Sequence, residues 1–511
     1  MVACICTNPC YKALSGVEVA PGRSKESVVH MVTLTELLAG LPLEPNEDSL
    51  FDEIQQEVAG SKRKLVVIDD DPTGTQTVHD IELFTTWNRQ MLAEALQNET
   101  RLFYLLTNSR SMHERDAAKL NYKTAQQLAA ASEETKTGFV VVSRSDSTLR
   151  GHYPVEIQAL ERGFTSSSGE SFDGHLLVPA FFEGGRYTIH DTHYVATPIA
   201  TSDTLQPASE TSFARDSVFG YKTSYLPAWI EAKSGGYWKA RQVMSIGLEI
   251  IRQGGPEAVA YKLQTIAGSI PVIINAAGYG DLAVVVLGLL RAEAAGKRFL
   301  YRTAASFVRI RGAIERKPPL EAKEIMRGTQ LVEGGVVVVG SYVPESSTQL
   351  ENLWTLSQVI GIELPVERVI RNATESETVS REIGQQLEAA IQAGHIGVLY
   401  TSRKLVTGAN RIENLEIGSK VSHALIAALH QVKSRPRFII AKGGITSHDV
   451  AQKGLGAARA RVLGQLFPGV PVWRLESGPQ SRFEDVPYIV FPGNVGGPES
   501  LMQAVELLSG D

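Results

Sequence analysis

The sequence predicts two α/β domains in series, each on a largely parallel sheet, with an active site in the interdomain cleft. Three observations predict this. Short apolar runs alternate with polar or glycine-rich turns and helical stretches, the pattern of parallel α/β layering. The pattern breaks at 311–335, where Pro318-Pro319, alternating charges and Gly334-Gly335 fall together. A second alternating set follows. The reading places a partly disordered N-terminal extension at 1–60, one domain at 61–310, a linker at 311–333 and a second domain at 334–511.

In the first half, apolar runs fall at 64–68, 102–106, 139–142 and 176–178, then at 272–275 and 299–301. Helical periodicity covers 90–97, 114–131, 155–162 and 281–295. Between 197 and 234 it fades, which predicts a loop-rich insertion. In the second half the runs are 336–339, 398–400, 438–441, 472–474 and 488–491, and one more strand has room near 362–370. The first 30 residues show no periodicity and hold all three cysteines, Cys4, Cys6 and Cys10, with no histidine near them. They predict disorder rather than a metal site, and Met31 opens the first helix-like stretch, 31–43.

Composition excludes several classes. Against 50 Lys plus Arg stand 56 Asp plus Glu, a formal charge of -6, unlike the basic surface of a nucleic-acid or anionic-membrane binder. Hydrophobic residues at 43% supply enough apolar mass for real cores. The longest apolar run, 283–290, is too short to span a bilayer. With no cysteine beyond residue 10 there is no disulfide framework, which suits a reducing cytoplasm.

In open parallel sheets ligands bind beyond the carboxyl ends of the strands. In the first half those ends carry Asp69-Asp70-Asp71-Pro72-Thr73-Gly74, Thr107-Asn108-Ser109-Arg110, the run from Ser143 through Arg144, Asp146, Ser147 and Arg150 to Gly151, and the run from Pro179 to Arg186. Carboxylates there bind hydroxyls, hold a divalent cation or take a proton, and arginine forks grip carboxylate or phosphate. The combination suits a small, anionic, polyhydroxylated substrate. Taken singly, each piece has a plainer reading: the aspartates as helix caps, each arginine as a surface ion pair. His113, His152, His190 and His193 read as structural or surface residues, and no zinc site is expected.

The second half repeats one device at three strand ends: Gly340-Ser341, Lys442-Gly443-Gly444-Ile445-Thr446-Ser447, and Gly493-Asn494-Val495-Gly496-Gly497-Pro498. Glycine admits close backbone approach, and helix N-termini offer free N–H groups to anions, so the three turns make a phosphate cradle. Ordinary α/β turns use the same residues. The P-loop, the dinucleotide-binding glycine motif, the protein-kinase motifs and the hydrolase nucleophile elbow are all absent.

Together these motifs resemble the four-carbon acid sugar kinase family, formerly a domain of unknown function. Asp70-Asp71-Pro72-Thr73-Gly74 is similar to its D-D-x-T-G, 144–151 to its [KR]-x-D-S-T-L-R-G, 179–186 to P-A-F…G-R, 210–221 to E-T-x-F-A-x-D-x-x-F-G-Y, and 299–307 to F-L-Y-R-T-A-A-S-F. Gly340-Ser341, 443–446 and 493–498 resemble its G-S, G-G-x-T and G-N-x-G-G-P. The likeness runs from about residue 60 to 505. It implies ATP-dependent phosphorylation of the terminal hydroxyl of an acid such as 3-oxo-tetronate, threonate or erythronate, with Mg²⁺. Asp71 and Asp146 are implied at or near the substrate, and as the group that takes the hydroxyl proton Asp71 is favoured, with Asp146 second. Asp70, Thr73, Arg110, Arg144, Ser147, Arg150 and Arg186 are implied at the sugar acid, and Ser341, Gly443, Gly444, Ile445, Thr446 and Gly493 at ATP. No nucleic acid or membrane partner is implied, and a homo-oligomer is allowed. Many relatives continue T-G-A-x-D; here Thr75-Gln76-Thr77 follows Gly74, so a carboxylate of the pattern is absent. Left open are another ATP-dependent kinase or ligase, and a non-catalytic metabolite- and nucleotide-binding protein.

Overall fold

Strands covered by helices on both faces read as continuous apolar runs, and those runs form the centre of the molecule. This computed structural model describes residues 31–169, 171–197, 203–328, 334–409, 411–476, 478 and 480–510. The first half contributes β1 (Val32–Thr33), β2 (Lys64–Asp69), β3 (Ile81–Phe84), β4 (Leu102–Leu106), β5 (Phe139–Arg144), β6 (Gly174–Val178), β7 (Arg186–Ile189), β8 (Thr192–Ala196), β9 (Thr204–Pro207), β10 (Met244–Ile246), β11 (Ile270–Ile274) and β12 (Phe299–Thr303). The second contributes β13 (Gly335–Val339), β14 (Val359–Leu364), β15 (Ile396–Thr401), β16 (Ile439–Lys442), β17 (Arg459–Phe467), β18 (Val470–Leu475) and β19 (Pro487–Phe491).

In the first domain β10-β11-β6-β12-β5-β2-β4-β3 lie side by side, all parallel. The second domain has the order β17-β18-β19-β16-β13-β15-β14, parallel from β19 onward, with β17 and β18 an antiparallel hairpin. The two sheets are one. β3 pairs antiparallel with β17, from Phe84 opposite Arg459 to Ile81 opposite Val462. Side chains close the seam. The fully buried Trp473 donates its Nε1–H to Thr75 Oγ1 (3.0 Å), Gln76 Nε2 donates to the Gly469 carbonyl (3.2 Å), and Gln452 Nε2 to the Thr85 carbonyl (2.9 Å). The β17 backbone thus replaces solvent at what would be the exposed edge of β3.

Residues 31–60 of the N-terminal extension pack on the first domain. The helix Glu47–Ser61, capped by Asn46, buries Ile54 and Val58, and Glu47 pairs with Arg309 (2.5 Å) and with Arg316. Within 31–43 only Leu34–Leu37 is helical, after β1. The cysteines at 4, 6 and 10 lie outside the described residues. The stretch 197–234 is not simply loop: it holds β9 and the helix Leu226–Lys233, and β1-β9-β8-β7 form a small antiparallel sheet. The described part of the linker lies as a strap on the hairpin. Leu320 N–H donates to the Gln465 carbonyl (2.7 Å), and Arg474 donates to the carbonyls of Arg327 and Ile325. Among the described residues, no helix is long and apolar enough to cross a membrane.

The shared sheet predicts that the domains unfold together. Urea denaturation should give one transition by fluorescence and circular dichroism alike, and Trp473→Ala should lower stability by about 3–5 kcal/mol. Two separated transitions would contradict the seam.

Candidate active site

The Asp69–Gly74 turn shows why the chain needs these residues at the end of β2. Asp69 folds its buried carboxyl back over the turn. A Cβ on Gly74 would sit 1.7 Å from Asp69 Oδ2, so only glycine fits there. Asp71 caps the short Pro72–Thr75 turn: its Oδ1 accepts from Thr73 N–H (2.8 Å) and from the Thr73 hydroxyl (2.5 Å). The capping reading of Asp71 holds, and its second oxygen, Oδ2, accepts from Arg110 Nη1 (3.1 Å).

Arg110 is held by three carboxylates. It donates to Asp70 (2.5 and 3.2 Å), Asp71 (3.1 Å) and Asp146 (3.4 Å). Arg150 forks onto Asp146 (2.9 and 3.1 Å) and lies 3.7 Å from Asp216. Arg144 lies 3.5 Å from Asp69 and reaches Gln76 Oε1 (3.4 Å). Arg186 differs. Among the described residues it makes no ion pair, it is half-buried, and its guanidinium lies over the Phe213 ring, 5.6 Å from its centroid. His193, one of the histidines expected to be structural, is fully buried beneath this rim. It donates from Nε2 to the Ser147 carbonyl (2.7 Å), and burial pulls its pKa down to about 4.

These contacts set the charges. Burial pushes Asp71 up, but Arg110 and the Thr73 hydrogen bonds outweigh it, so the carboxyl falls below its ordinary value. Burial likewise raises Asp146, and Arg150 and Arg110 more than reverse it, leaving it well below the carboxylate range. Asp69 goes the other way. Burial dominates the pull of Arg144 and lifts it to about 8.

The three turns of the second domain are cross-braced. Ser346 Oγ donates to Ser341 Oγ (2.9 Å) and to the Gly493 carbonyl (2.9 Å). The Gln349 side-chain amide donates to the carbonyls of Val495, Gly496 and Gly497 (3.0, 3.1 and 2.9 Å), and Arg403 Nη1 to the Ser341 carbonyl (2.8 Å). Of the turn N–H groups, those of Ser341 and Gly443 already donate to the Lys442 and Phe491 carbonyls (3.4 and 2.8 Å). Gly443 has φ +113°, and a Cβ there would press on Ser341 at 3.2 Å; a Cβ on Gly493 would lie 2.7 Å from Ser341 Oγ.

Both halves open onto one cavity of about 640 Å³. Asp71, Thr73, Arg110, Arg144, Asp146, Ser147, Arg150 and Arg186 line it from one side, and Ser341, Gly443, Gly444, Ile445, Thr446 and Gly493 from the other. The two sets come near one another: a Cβ built on Gly444 would stand 3.0 Å from Asp71 Oδ2. Asp70 is the exception among the expected residues; it sits behind the cavity, 3% exposed, bracing Arg110.

Sequence reasoning missed other lining residues. Phe213 and Asp216 belong to the 210–221 motif without having been singled out, and Gln76 and Gly469 meet across the seam. The departure at Thr77 is not a change in the cavity. Its hydroxyl donates to the Ala305 carbonyl (2.8 Å), and it is Gln76 that faces the site.

Residues 65–311 match a sugar-binding N-terminal domain, and residues 336–501 match a nucleotide-binding C-terminal domain. The chain belongs to the four-carbon acid sugar kinase family. Two solved structures share its fold: a Salmonella typhimurium LT2 protein provisionally named a tRNA synthase (17% identity, TM-score 0.61, covering 86% of this chain and 98% of that one), and a Haemophilus influenzae protein of the former unknown-function family (17% identity, TM-score 0.56, covering 87% and 100%). No curated protein sequence matches the chain. The family boundary falls where the structure turns from first domain to strap, and the helix Glu47–Ser61 lies before the matched region.

The Asp69 environment is directly checkable. Infrared difference spectra of wild type against Asp69→Asn should show a protonated-carboxyl band at neutral pH that disappears with a midpoint near pH 8, the value burial imposes. Absence of that band at neutral pH would show Asp69 ionised.

Proposed function

We propose that the chain transfers the γ-phosphoryl group of ATP to the terminal hydroxyl of a four-carbon sugar acid of the 3-oxo-tetronate, threonate or erythronate class. The observation that carries this reading is the shared cavity, in which the carboxylate of Asp71 meets the Gly443-Gly444 turn. One side supplies cations and hydroxyl-binding groups; the other supplies backbone N–H groups.

Phosphoryl transfer needs positioning and charge neutralisation more than covalent chemistry from the protein. Arg186 is the cation with charge to spare, so it takes the substrate carboxylate, with Arg150 beside it over the same Phe213 ring (5.0 Å from its centroid). Asp71 orients the terminal hydroxyl and receives its proton late, as suits a carboxylate held below its ordinary pKa. Asp146 is committed to Arg150, Thr148 and Arg110, so its part is to hold the guanidinium groups in place. The braced turns at Ser341, Gly443 and Gly493 hold the phosphates.

The cavity fits a nucleotide because glycine turns line one side of it, where phosphates can approach the backbone closely. It also fits Mg²⁺ carried on those phosphates, since Mg²⁺ takes one or two carboxylates plus phosphate oxygens, and Asp71 Oδ2 faces the turn. When bound, Mg²⁺ neutralises charge on the phosphates. With the sheet continuous, closure over substrates bends the hairpin, whose register shifts at Val462/Gly464 and Gln465/Phe467.

The test is ADP release over a panel of four-carbon acids, with the product identified by mass. A phosphorylated acid is expected; ADP release with a new C–N or C–O bond instead would contradict the reading. Asp71→Asn should cut kcat by about 100-fold or more, and Gly444→Ala, which intrudes on the reacting atoms, by about as much. Arg186→Ala should raise KM for the acid and leave KM for ATP unchanged.

A further inference from the structure

Lys442 ends β16, one residue before Gly443, and is fully buried at 0% exposure. Its ammonium donates to the carbonyls of Pro492 (3.0 Å) and Gly493 (3.4 Å) and lies over the Phe491 ring, 4.2 Å from the centroid. Among the described residues, no carboxylate comes within ion-pair distance of it. Two charged groups act on it from neighbouring elements and oppose one another: Glu345, at the start of the helix Pro344–Leu353, and Arg403, after β15. A buried ammonium without a counter-ion is expensive and tends to lose its proton, yet this one lies under the three turns assigned to an anionic ligand.

We propose that Lys442 is a positioning residue of the nucleotide site: it pins the Gly493 turn to the Gly443 turn, supplies the positive charge beneath the docked phosphates, and takes up a proton as they bind. The inference rests on the nucleotide reading of this domain. Burial pulls the Lys442 pKa down to about 7 in the empty site. The charged form is therefore present below that pH and lost above it, and a bound phosphate group restores it by opposing charge. Nucleotide affinity should then be highest at mildly acid pH and decline as pH rises through the Lys442 titration.

The decisive measurement is calorimetry with ADP on the full chain at about pH 8, in two buffers of different ionisation enthalpy. The terminal phosphate of ADP is almost fully ionised there, so protons taken up on binding go to the protein. An uptake of about half to one proton is expected; no uptake, or release, would overturn the proposal. Lys442→Met keeps the side-chain length without the charge. It should weaken ADP binding by about tenfold or more below pH 7, abolish the proton uptake, and leave sugar-acid affinity unchanged. A variant that binds the acid normally and ADP as tightly as wild type would also overturn it. Should the variant not fold, the proton count on wild type decides alone. Wild-type chain that binds no ADP would refute the nucleotide reading, and this inference with it; ADP binding without proton uptake would refute only the role of Lys442.

Discussion

The antiparallel pairing of β3 with β17 decides where everything else in the molecule can act. Strands of the first domain and the parallel strands of the second run in opposite senses across that seam. In a flat sheet their carboxyl edges would face opposite ways. Sheets twist by about 20–25° per strand, and six steps separate β2 from β16, so the turn accumulates to about 120–150°. That rotation brings the two carboxyl edges round toward one cleft. Asp71 and Gly444 face one cavity, although more than 370 residues lie between them.

Within the cleft, charge is apportioned by burial. Burial raises every carboxyl here: Asp69 stays raised because Arg144 stands 3.5 Å off, whereas Asp71 and Asp146, gripped more closely by Arg110 and Arg150, are lowered. Arg110 serves as the common counter-ion of Asp70, Asp71 and Asp146, and Arg150 that of Asp146 and Asp216. Among the described residues Arg186 has no such ion pair and lies over the Phe213 ring. The same logic runs through the other domain. Hydrogen bonds from Ser346, Gln349 and Arg403 fix the turns, and the buried Lys442 ties its amine to the Pro492 and Gly493 carbonyls.

Much of this was legible in the sequence because parallel strands buried on both faces leave continuous apolar runs. Those at 64–68, 102–106 and 336–339 are strands as expected, and the strand expected near 362–370 lies at Val359–Leu364. Strands half-covered by neighbours were harder to see. β17 alternates Arg459, Arg461 and Gln465 with buried residues, a period of two that continuous apolar runs do not reveal. The helix Glu47–Ser61 has an apolar stripe too thin to stand out, since its anchoring comes from Glu47 on distant arginines. Motif residues at strand ends were visible as chemistry, but partners were not. That Asp70 braces rather than lines the cavity, that Thr77 points to Ala305, and that Lys442 has no counter-ion all depend on contacts across the sheet.

The most direct test of the account is a crystal structure of the chain with a non-hydrolysable ATP analogue and a four-carbon sugar acid bound together. The account predicts the γ-phosphate on the Gly443-Gly444 turn, the acid's carboxylate on Arg186, and the terminal hydroxyl within about 3 Å of Asp71. A nucleotide seated away from the Asp71 side of the cavity, or an acid bound with its carboxylate facing the glycine turns, would contradict it.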